Sequence, residues 1–269
     1  MSTPANRYEV PALLRGLQVL EQFSRSEPLL TGAELAKRLG LPRASVFRIL
    51  TTLEQAGYLE RQADSAEYRL GVAVLRLGFE VLASMDLAEH ARPIIEALRD
   101  ATGYSSHVVV RDGREVVFIA KAAGHSTLFN SIKVGARLPA HATVLGRVLL
   151  SRLERRALVA LYPERKLEVF TPSTPANLEK LVALIETVRE QGYGISEGGF
   201  EAGISTIAAP VLDAAEGIVG AVSLTVPAAN IPEHERLGLI EAVCDAAQAI
   251  TRRMNPHGPK RPNQPAKAA

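Results

Sequence analysis

One cysteine, Cys244, is all that the 269 residues contain. A lone thiol excludes an intrachain disulfide and a thiolate cluster able to hold zinc. Long apolar runs are missing too, and no stretch is continuous enough to span a bilayer. The start, Met1 to Glu9, has no apolar segment behind a basic one and so lacks the form of a secretory signal. These absences predict a cytoplasmic chain with no membrane partner. Charge of one sign is also lacking: 31 basic residues against 29 acidic ones leave a net +2. His107, His125 and His141 are widely spaced, with no His-x-x-x-His pair and no carboxylate in register, so no metal site is expected. Neither a P-loop nor a dinucleotide fingerprint occurs, and no cofactor is expected. There is no internal repeat.

What remains is an ordinary soluble composition, 47% hydrophobic and 22% charged, long enough for two modest domains. The chain divides into a loose leader over 1–9, a small helical domain over 10–70 ending in a hairpin, and a connecting helix over 71–85. A mixed α/β domain follows over 86–254. Residues 255–269, rich in proline and carrying Lys260, Arg261 and Lys267, cannot bury a core and are expected to be disordered.

In the first domain, Ala12–Phe23 places Leu13, Leu17, Leu20 and Phe23 at helical spacing. Thr31 with Glu34 three residues later predicts a capping box for a helix over Gly32–Leu39. Gly40 can take the left-handed geometry that ends it, and Pro42 suits the start of the next helix, which runs to about Ala56. The apolar face of that helix is Val46, Ile49, Leu50 and Leu53; Tyr58–Arg61 and Glu67–Leu70 read as two short strands. Helix, glycine turn, helix and hairpin is the order of a winged helix-turn-helix. Between Lys37 and Arg48 lie four basic residues (Lys37, Arg38, Arg43, Arg48) and no acid, the local cluster that phosphate contact needs. A solvated helical face has the same composition, so the argument rests on the cluster together with the turn and the hairpin. With the apolar face turned inward, Arg43, Ser45, Arg48 and Thr52 look outward, where arginine can fork onto guanine and a hydroxyl can reach a base or phosphate. Arg61 and Arg69 of the hairpin would meet flanking phosphates or the minor groove.

In the second domain, Ser106–Arg111 and Glu115–Lys121 form a hairpin around Asp112-Gly113, with a third strand near Leu128–Val134. Helices are expected at about Thr143–Leu153, Glu154–Leu161 and Asn177–Gln191. Strands fit Gly194–Glu197, Ser205–Leu212 and Ile218–Val226, and a closing helix Pro232–Arg253. Antiparallel strands flanked by helices make an α+β domain. Pro139–Thr143 leads into a helix whose first amides, at Val144, Leu145 and Gly146, lack helical partners and would attract a carboxylate. Ser223 and Thr225 point to one face of a strand, and Ser205 and Thr206 offer further hydroxyls. Cys244 reads as core.

An enzyme reading competes. Gly194-Ile195-Ser196-Glu197-Gly198 matches the G-x-S-x-G elbow of serine hydrolases, with Asp213 and His234 following in triad order. Against it, the elbow needs a helix after the serine, and Glu-Gly-Gly-Phe-Glu-Ala-Gly is a poor helix former.

The run LTGAELAKRLGLPRASVFRILTTLEQAGYLE, followed by YRLG at Tyr68–Gly71, resembles the N-terminal domain of IclR-type transcriptional regulators. GARLPAHATVLGRVLL (135–150), REQGYGIS and AGISTIAAPVLDAAEGIVGAVSL resemble that family's second domain, in the same order, from Leu13 to about Met254. The resemblance implies a winged helix-turn-helix DNA-binding domain, a linker helix and a GAF-like effector-binding domain. It further implies a double-stranded DNA operator, a small-molecule effector and no catalytic residue. Family members place effector contacts at positions matching Val144, Leu145, Ser196, Thr206, Ser223 and Thr225, and Leu128 and Phe129 would add apolar walls. A homodimer or dimer of dimers, paired through the N-terminal region and the helix from Gly71 to Ser84, would read a pseudopalindromic site. Repressor and activator both fit. The effector class is open among small 2-oxo or hydroxy acids, aromatic acids and other catabolic intermediates, a carboxylate metabolite of a catabolic pathway being favoured. Where the family often carries two acids, this chain has Gly198-Gly199, which predicts a more flexible, less charged loop.

Overall fold

The computed structural model describes residues 10–24, 26–63, 65–83, 86–124, 132–164 and 166–255. The expected leader over 1–9, the tail beyond 255, and Leu128 and Phe129 lie outside the described residues. The chain forms two compact units, Met1–Ser84 and Met85–Ala269.

The first unit runs α1 (Pro11–Glu21), β1 (Leu30–Thr31), α2 (Gly32–Leu39), α3 (Arg43–Gln55), β2 (Leu59–Arg61), β3 (Glu67–Leu70) and α4 (Ala73–Ala83). The expected capping box is present: the Glu34 amide donates to Thr31 Oγ1 at 3.2 Å, and the Thr31 amide donates to Glu34 Oε2 at 2.7 Å. Gly40 adopts φ 63°, a left-handed conformation that closes α2, and the Leu41 amide then turns back to Ala36 O at 3.0 Å. Pro42 stands at the N-cap of α3, one position before the first turn. Leu35, Val46, Leu50 and Leu59 are fully buried and pack with Val19, Phe23, Leu30 and Tyr68. Sequence periodicity missed β1, which joins the hairpin antiparallel to β3 (Leu30 opposite Tyr68) to give the order β1-β3-β2. The apolar face of α1 differs from expectation. Val19 and Phe23 enter the core with Leu20 against them, whereas Leu13 and Leu17 stay 63% and 51% exposed. A helix has only one face toward a core, and Leu13 and Leu17 lie off that face.

The second unit runs α5 (Asp86–Thr102), β4 (Ser105–Asp112), β5 (Glu115–Ala122), β6 (Arg137–Pro139), α6 (Val144–Leu150) and α7 (Arg155–Leu161). It continues with α8 (Leu178–Gln191), β7 (Gly194–Glu197), β8 (Ser205–Leu212), β9 (Ile218–Val226) and α9 (Glu233–Met254). Among the described residues, six antiparallel strands lie in the order β6-β5-β4-β9-β8-β7. Of the strand expected near Leu128–Val134, residues 128–131 lie outside the described residues and 132–134 are not strand; the described edge strand beside β5 is β6, at Arg137–Pro139. On one face pack α5 and α9; the other carries α6, buried throughout, with α8 outside it. Strand alternation decides which residue serves which layer. Gly220 abuts Leu87 of α5, whereas its neighbour Ala221 joins the core with Val144 and Val148. The Ser106 hydroxyl donates to Ile95 O of α5 at 2.6 Å, so the next residue, His107, faces the α6 side. No described helix is long and apolar enough to cross a membrane.

Candidate functional site

The core residues Val46 and Leu50 set the rotation of α3, and with it the outward residues. Arg43, Arg48 and Thr52 are exposed and Ser45 half-buried. They divide between two flanks. Ser45, Arg48 and Thr52 line a groove of about 650 Å³ shared with Leu13, Leu17 and Leu20 of α1. Arg43 lines another, of about 470 Å³, whose far wall carries Arg61 and Tyr68 of the hairpin. Phe47, which the sequence reading passed over, stands in that groove 64% exposed. The signal was available: position 47 follows the buried Val46 by about 100° around the helix and lies four residues from Arg43. Thr52 Oγ1 donates to Arg48 O at 2.8 Å, which leaves its lone pairs for an incoming donor.

The basic residues are not equivalent. Among the described residues Arg43, Arg48 and Arg61 make no ion pair, whereas Arg38 forks onto Glu27 at 2.6 and 3.0 Å. That fork holds the Glu27 carboxyl below the usual range, chiefly through the Arg38 hydrogen bond. Arg38 therefore ties α2 to the preceding loop. Arg69 is directly opposite Glu60 on the hairpin and pairs with it at 2.7 Å. Of the six basic residues Lys37, Arg38, Arg43, Arg48, Arg61 and Arg69, only Arg38 and Arg69 are held in ion pairs among the described residues.

In the second unit the predicted hydroxyls converge. Ser196, Thr206 and Thr225 are paired directly across β7, β8 and β9, so all three share the α6 face of the sheet. Ser223 lies on the same face two residues from Thr225. Val144 and Leu145, at the start of α6, are buried on that side. Two expectations need correction. The Gly146 amide is spent on the N-cap, donating to Thr143 Oγ1 at 3.1 Å, because Thr143 is a good cap. Ser205 points to the opposite face, and its hydroxyl donates to Ala228 O at 2.8 Å. The loop after Ser196 is also pinned rather than loose: Thr171 Oγ1 donates to Gly198 O at 2.6 Å, and Thr174 Oγ1 to Gly199 O at 2.6 Å. Glu197 turns away from the hydroxyl row and accepts from Arg236 Nη2 at 2.6 Å and the Ile231 amide at 3.0 Å.

Other buried polar groups carry no sequence signal. Arg147 of α6 is 4% exposed, with Nη2 donating to Ile195 O at 3.3 Å and no acid paired to it among the described residues. Burial pushes its pKa down to about 10. His107, 3% exposed, is the direct cross-strand partner of Ser223, and the ring meets Phe118 edge-on at 5.4 Å. Burial, reinforced by the Lys121 charge, pushes its pKa down to about 3, so the imidazole is neutral near pH 7. Among the described residues, neither His107 Nδ1 nor Ser223 Oγ has a hydrogen-bond partner. A buried polar atom left unpaired costs about 1–3 kcal/mol. His141 is structural, Nε2 pairing with Glu168 O at 2.9 Å.

The hydrolase constellation is not assembled. Ser196 is followed by a turn into antiparallel β8, with no helix behind it to stabilise an oxyanion. Thr206 faces Ser196, and Asp213 lies seven residues farther along, about 23 Å away at strand rise. There Asp213 Oδ1 accepts from the Ala215 and Gly217 amides. His234 is exposed beside Glu235.

Known proteins agree with this architecture. The family model of the C-terminal domain of the bacterial transcriptional regulator IclR matches residues 79–252, and the IclR helix-turn-helix domain matches residues 12–63. The transcriptional regulator XynR of Escherichia coli is 30% identical over 90% of this chain and 96% of its own. A candidate transcriptional regulator from Rhodococcus sp. RHA1 superposes with a TM-score of 0.79 at 32% identity, covering 92% of this chain and 99% of that one. An IclR homologue from Microbacterium hydrocarbonoxydans, complexed with 4-hydroxybenzoate, does so with a TM-score of 0.79 at 26% identity, covering 91% and 99%. With both domain models matched in order over two units of the corresponding architecture, the chain belongs to the IclR family of bacterial transcriptional regulators.

Proposed function

We propose that the chain is a cytoplasmic, non-enzymatic regulator that binds a double-stranded operator through its first unit and senses a carboxylate through its second. The observation that carries this reading is the pairing of Arg43 on α3 with Arg61 on the hairpin across one groove, both without an acidic partner among the described residues. Arg43, Ser45, Arg48 and Thr52 read bases or adjacent phosphates in the major groove, and Phe47 supplies an apolar surface for a thymine methyl. Arg61 neutralises a flanking phosphate, and Arg69, partly satisfied by Glu60, contributes less.

The effector occupies the α6 face of the sheet. Ser196, Thr206, Ser223 and Thr225 donate to it, and Val144 and Leu145 close one end. The carboxylate assignment draws on the hydroxyl row, on the turning away of Glu197, and on the buried cation Arg147. The relative complexed with 4-hydroxybenzoate supports the same class. The exposed Leu13 and Leu17 of α1, with Leu75 and Leu77 of α4, serve a homodimer contact that sets two recognition helices on two half-sites.

Fluorescence anisotropy of the full chain with fragments of its neighbouring genomic DNA, at several salt concentrations, tests the reading. One fragment should bind far more tightly than the others, and log affinity should fall linearly with log salt. Equal binding to all fragments, or none, removes the operator assignment.

A further inference from the structure

The groups facing the hydroxyl row include one whose chemistry the family pattern does not account for. Three residues on neighbouring strands lie in one line: Lys121 of β5 opposite His107 of β4, and His107 opposite Ser223 of β9. A bulge puts them on one face. Val108 pairs with Ala120 and Val109 with Phe118, so Ile119 is an extra residue in β5. The insertion reverses strand alternation there, and Lys121 comes round to the side that already holds Phe118 and His107. The Lys121 ammonium donates to Ile132 O at 2.6 Å and sets a positive charge beside the imidazole.

Between His107 and Ser223 the hydrogen bonding is incomplete. The two side chains are cross-strand neighbours, both almost wholly buried, yet among the described residues Nδ1 and Oγ bond neither to each other nor to any other group. A stable interior tolerates such a pair where a bound molecule completes it. The next residues along this line, Ala208 of β8 and Gly194 of β7, offer no polar group to do so. We infer that His107 is a ligand-contacting residue of the sensing unit, its Nδ1 and the Ser223 hydroxyl together holding one oxygen of a small oxo-, hydroxy- or carboxylic acid. The inference rests on the sensing function proposed above and adds a contact to it.

The local chemistry selects an oxygen rather than an ammonium. A neutral imidazole can present Nδ1–H, the serine hydroxyl can donate beside it, and the Lys121 charge favours a partner bearing negative charge. Burial keeps the imidazole neutral at pH 7, so it acts as a hydrogen-bonding group and not as a second fixed cation. His107 therefore discriminates among acids by where their oxygens lie.

Calorimetric titration of the full chain with sodium 4-hydroxybenzoate, pyruvate and malate tests this, using wild type, His107→Phe and His107→Asn. At least one acid should bind wild type, and His107→Phe should weaken it by about tenfold, the loss of one hydrogen bond to a bound group. His107→Asn, which keeps a polar atom at that place, should recover part of the affinity. His107→Phe should melt no lower than wild type without acid, since an unsatisfied polar atom has been removed. A purely structural histidine would show the reverse: a lower melting temperature and unchanged acid affinity. Should His107→Phe fail to fold, wild-type affinity in His107→Asn together with Ser223→Ala would overturn the inference. If an acid binds both wild type and His107→Phe equally, His107 is not a contact while the sensing function stands. If no acid binds wild type, the carboxylate-sensing function falls and this inference with it.

Discussion

Arg69 holds Glu60 across the hairpin of the first unit, with Nε at 2.9 Å and Nη2 at 2.7 Å from the same carboxylate oxygen. Eight residues earlier in the chain, Arg61 has no such partner among the described residues. Two arginines of one wing therefore carry different effective charge toward DNA. Arg61→Ala should lower the slope of log affinity against log salt by about one unit, the signature of a lost phosphate contact. Arg69→Ala should change the slope less. Glu60→Gln should raise affinity by releasing Arg69, and equal slopes for all three variants would contradict the assignment.

On α3 the outcome should depend on sequence rather than on salt. Arg43→Ala or Arg48→Ala should cost about 1–3 kcal/mol on the specific fragment if either forks onto a guanine, and little on unrelated DNA. Phe47→Ala should relax a preference for A·T over G·C at one position, read out by competition with single-base variants of the fragment. An unaltered preference would leave Phe47 without a role in reading sequence.

The sensing unit should lose stability in acid through His107. Its native pKa is pushed down to about 3 from an ordinary 6.5. Above pH 6.5 both native and unfolded forms are neutral there. Below it the unfolded chain takes a proton that the native one refuses, so stability falls as pH drops from about 6.5 toward about 3. The slope from this one group approaches about 1.4 kcal/mol per pH unit. Melting curves across that range should be flatter for His107→Phe. Parallel curves would show that His107 is not buried neutral in solution.

Close packing at α6 gives a further expectation. A Cβ placed on Gly146 would collide with the backbone of Ala140, which cannot step aside as a side chain can. Gly146→Ala should therefore cost about 1–3 kcal/mol, a fall of several degrees in melting temperature. No fall would mean that the approach of α6 to Ala140 is looser than described.

Local rules carry much of the fold from the amino-acid sequence. The capping box at Thr31 and Glu34, the glycine turn and the inward face of α3 rest on such rules, and they stand. The strands β7, β8 and β9 begin and end where alternation and turn residues predict. The features that escape local rules depend on tertiary pairing. Two residues cannot display a period, so β1 emerges only against β3. In α5, Leu87, Ala91, Ile95 and Leu98 follow helical spacing, but Pro93 interrupts the sequence signal. Leu13 and Leu17 share the spacing of Leu20, and only packing decides that they stay outside. His107 reads as an isolated histidine because its partner Ser223 lies 116 positions away, and no local pattern links them.

The regulator proposed above requires coupling: an acid bound to the second unit must alter how tightly the first holds its operator. The direct measurement is operator affinity with and without saturating acid, paired with acid affinity with and without operator. The account predicts a change in operator affinity by some factor, up or down, and a change in acid affinity by the same factor, as linkage requires. Operator affinity untouched by an acid that demonstrably binds would contradict it.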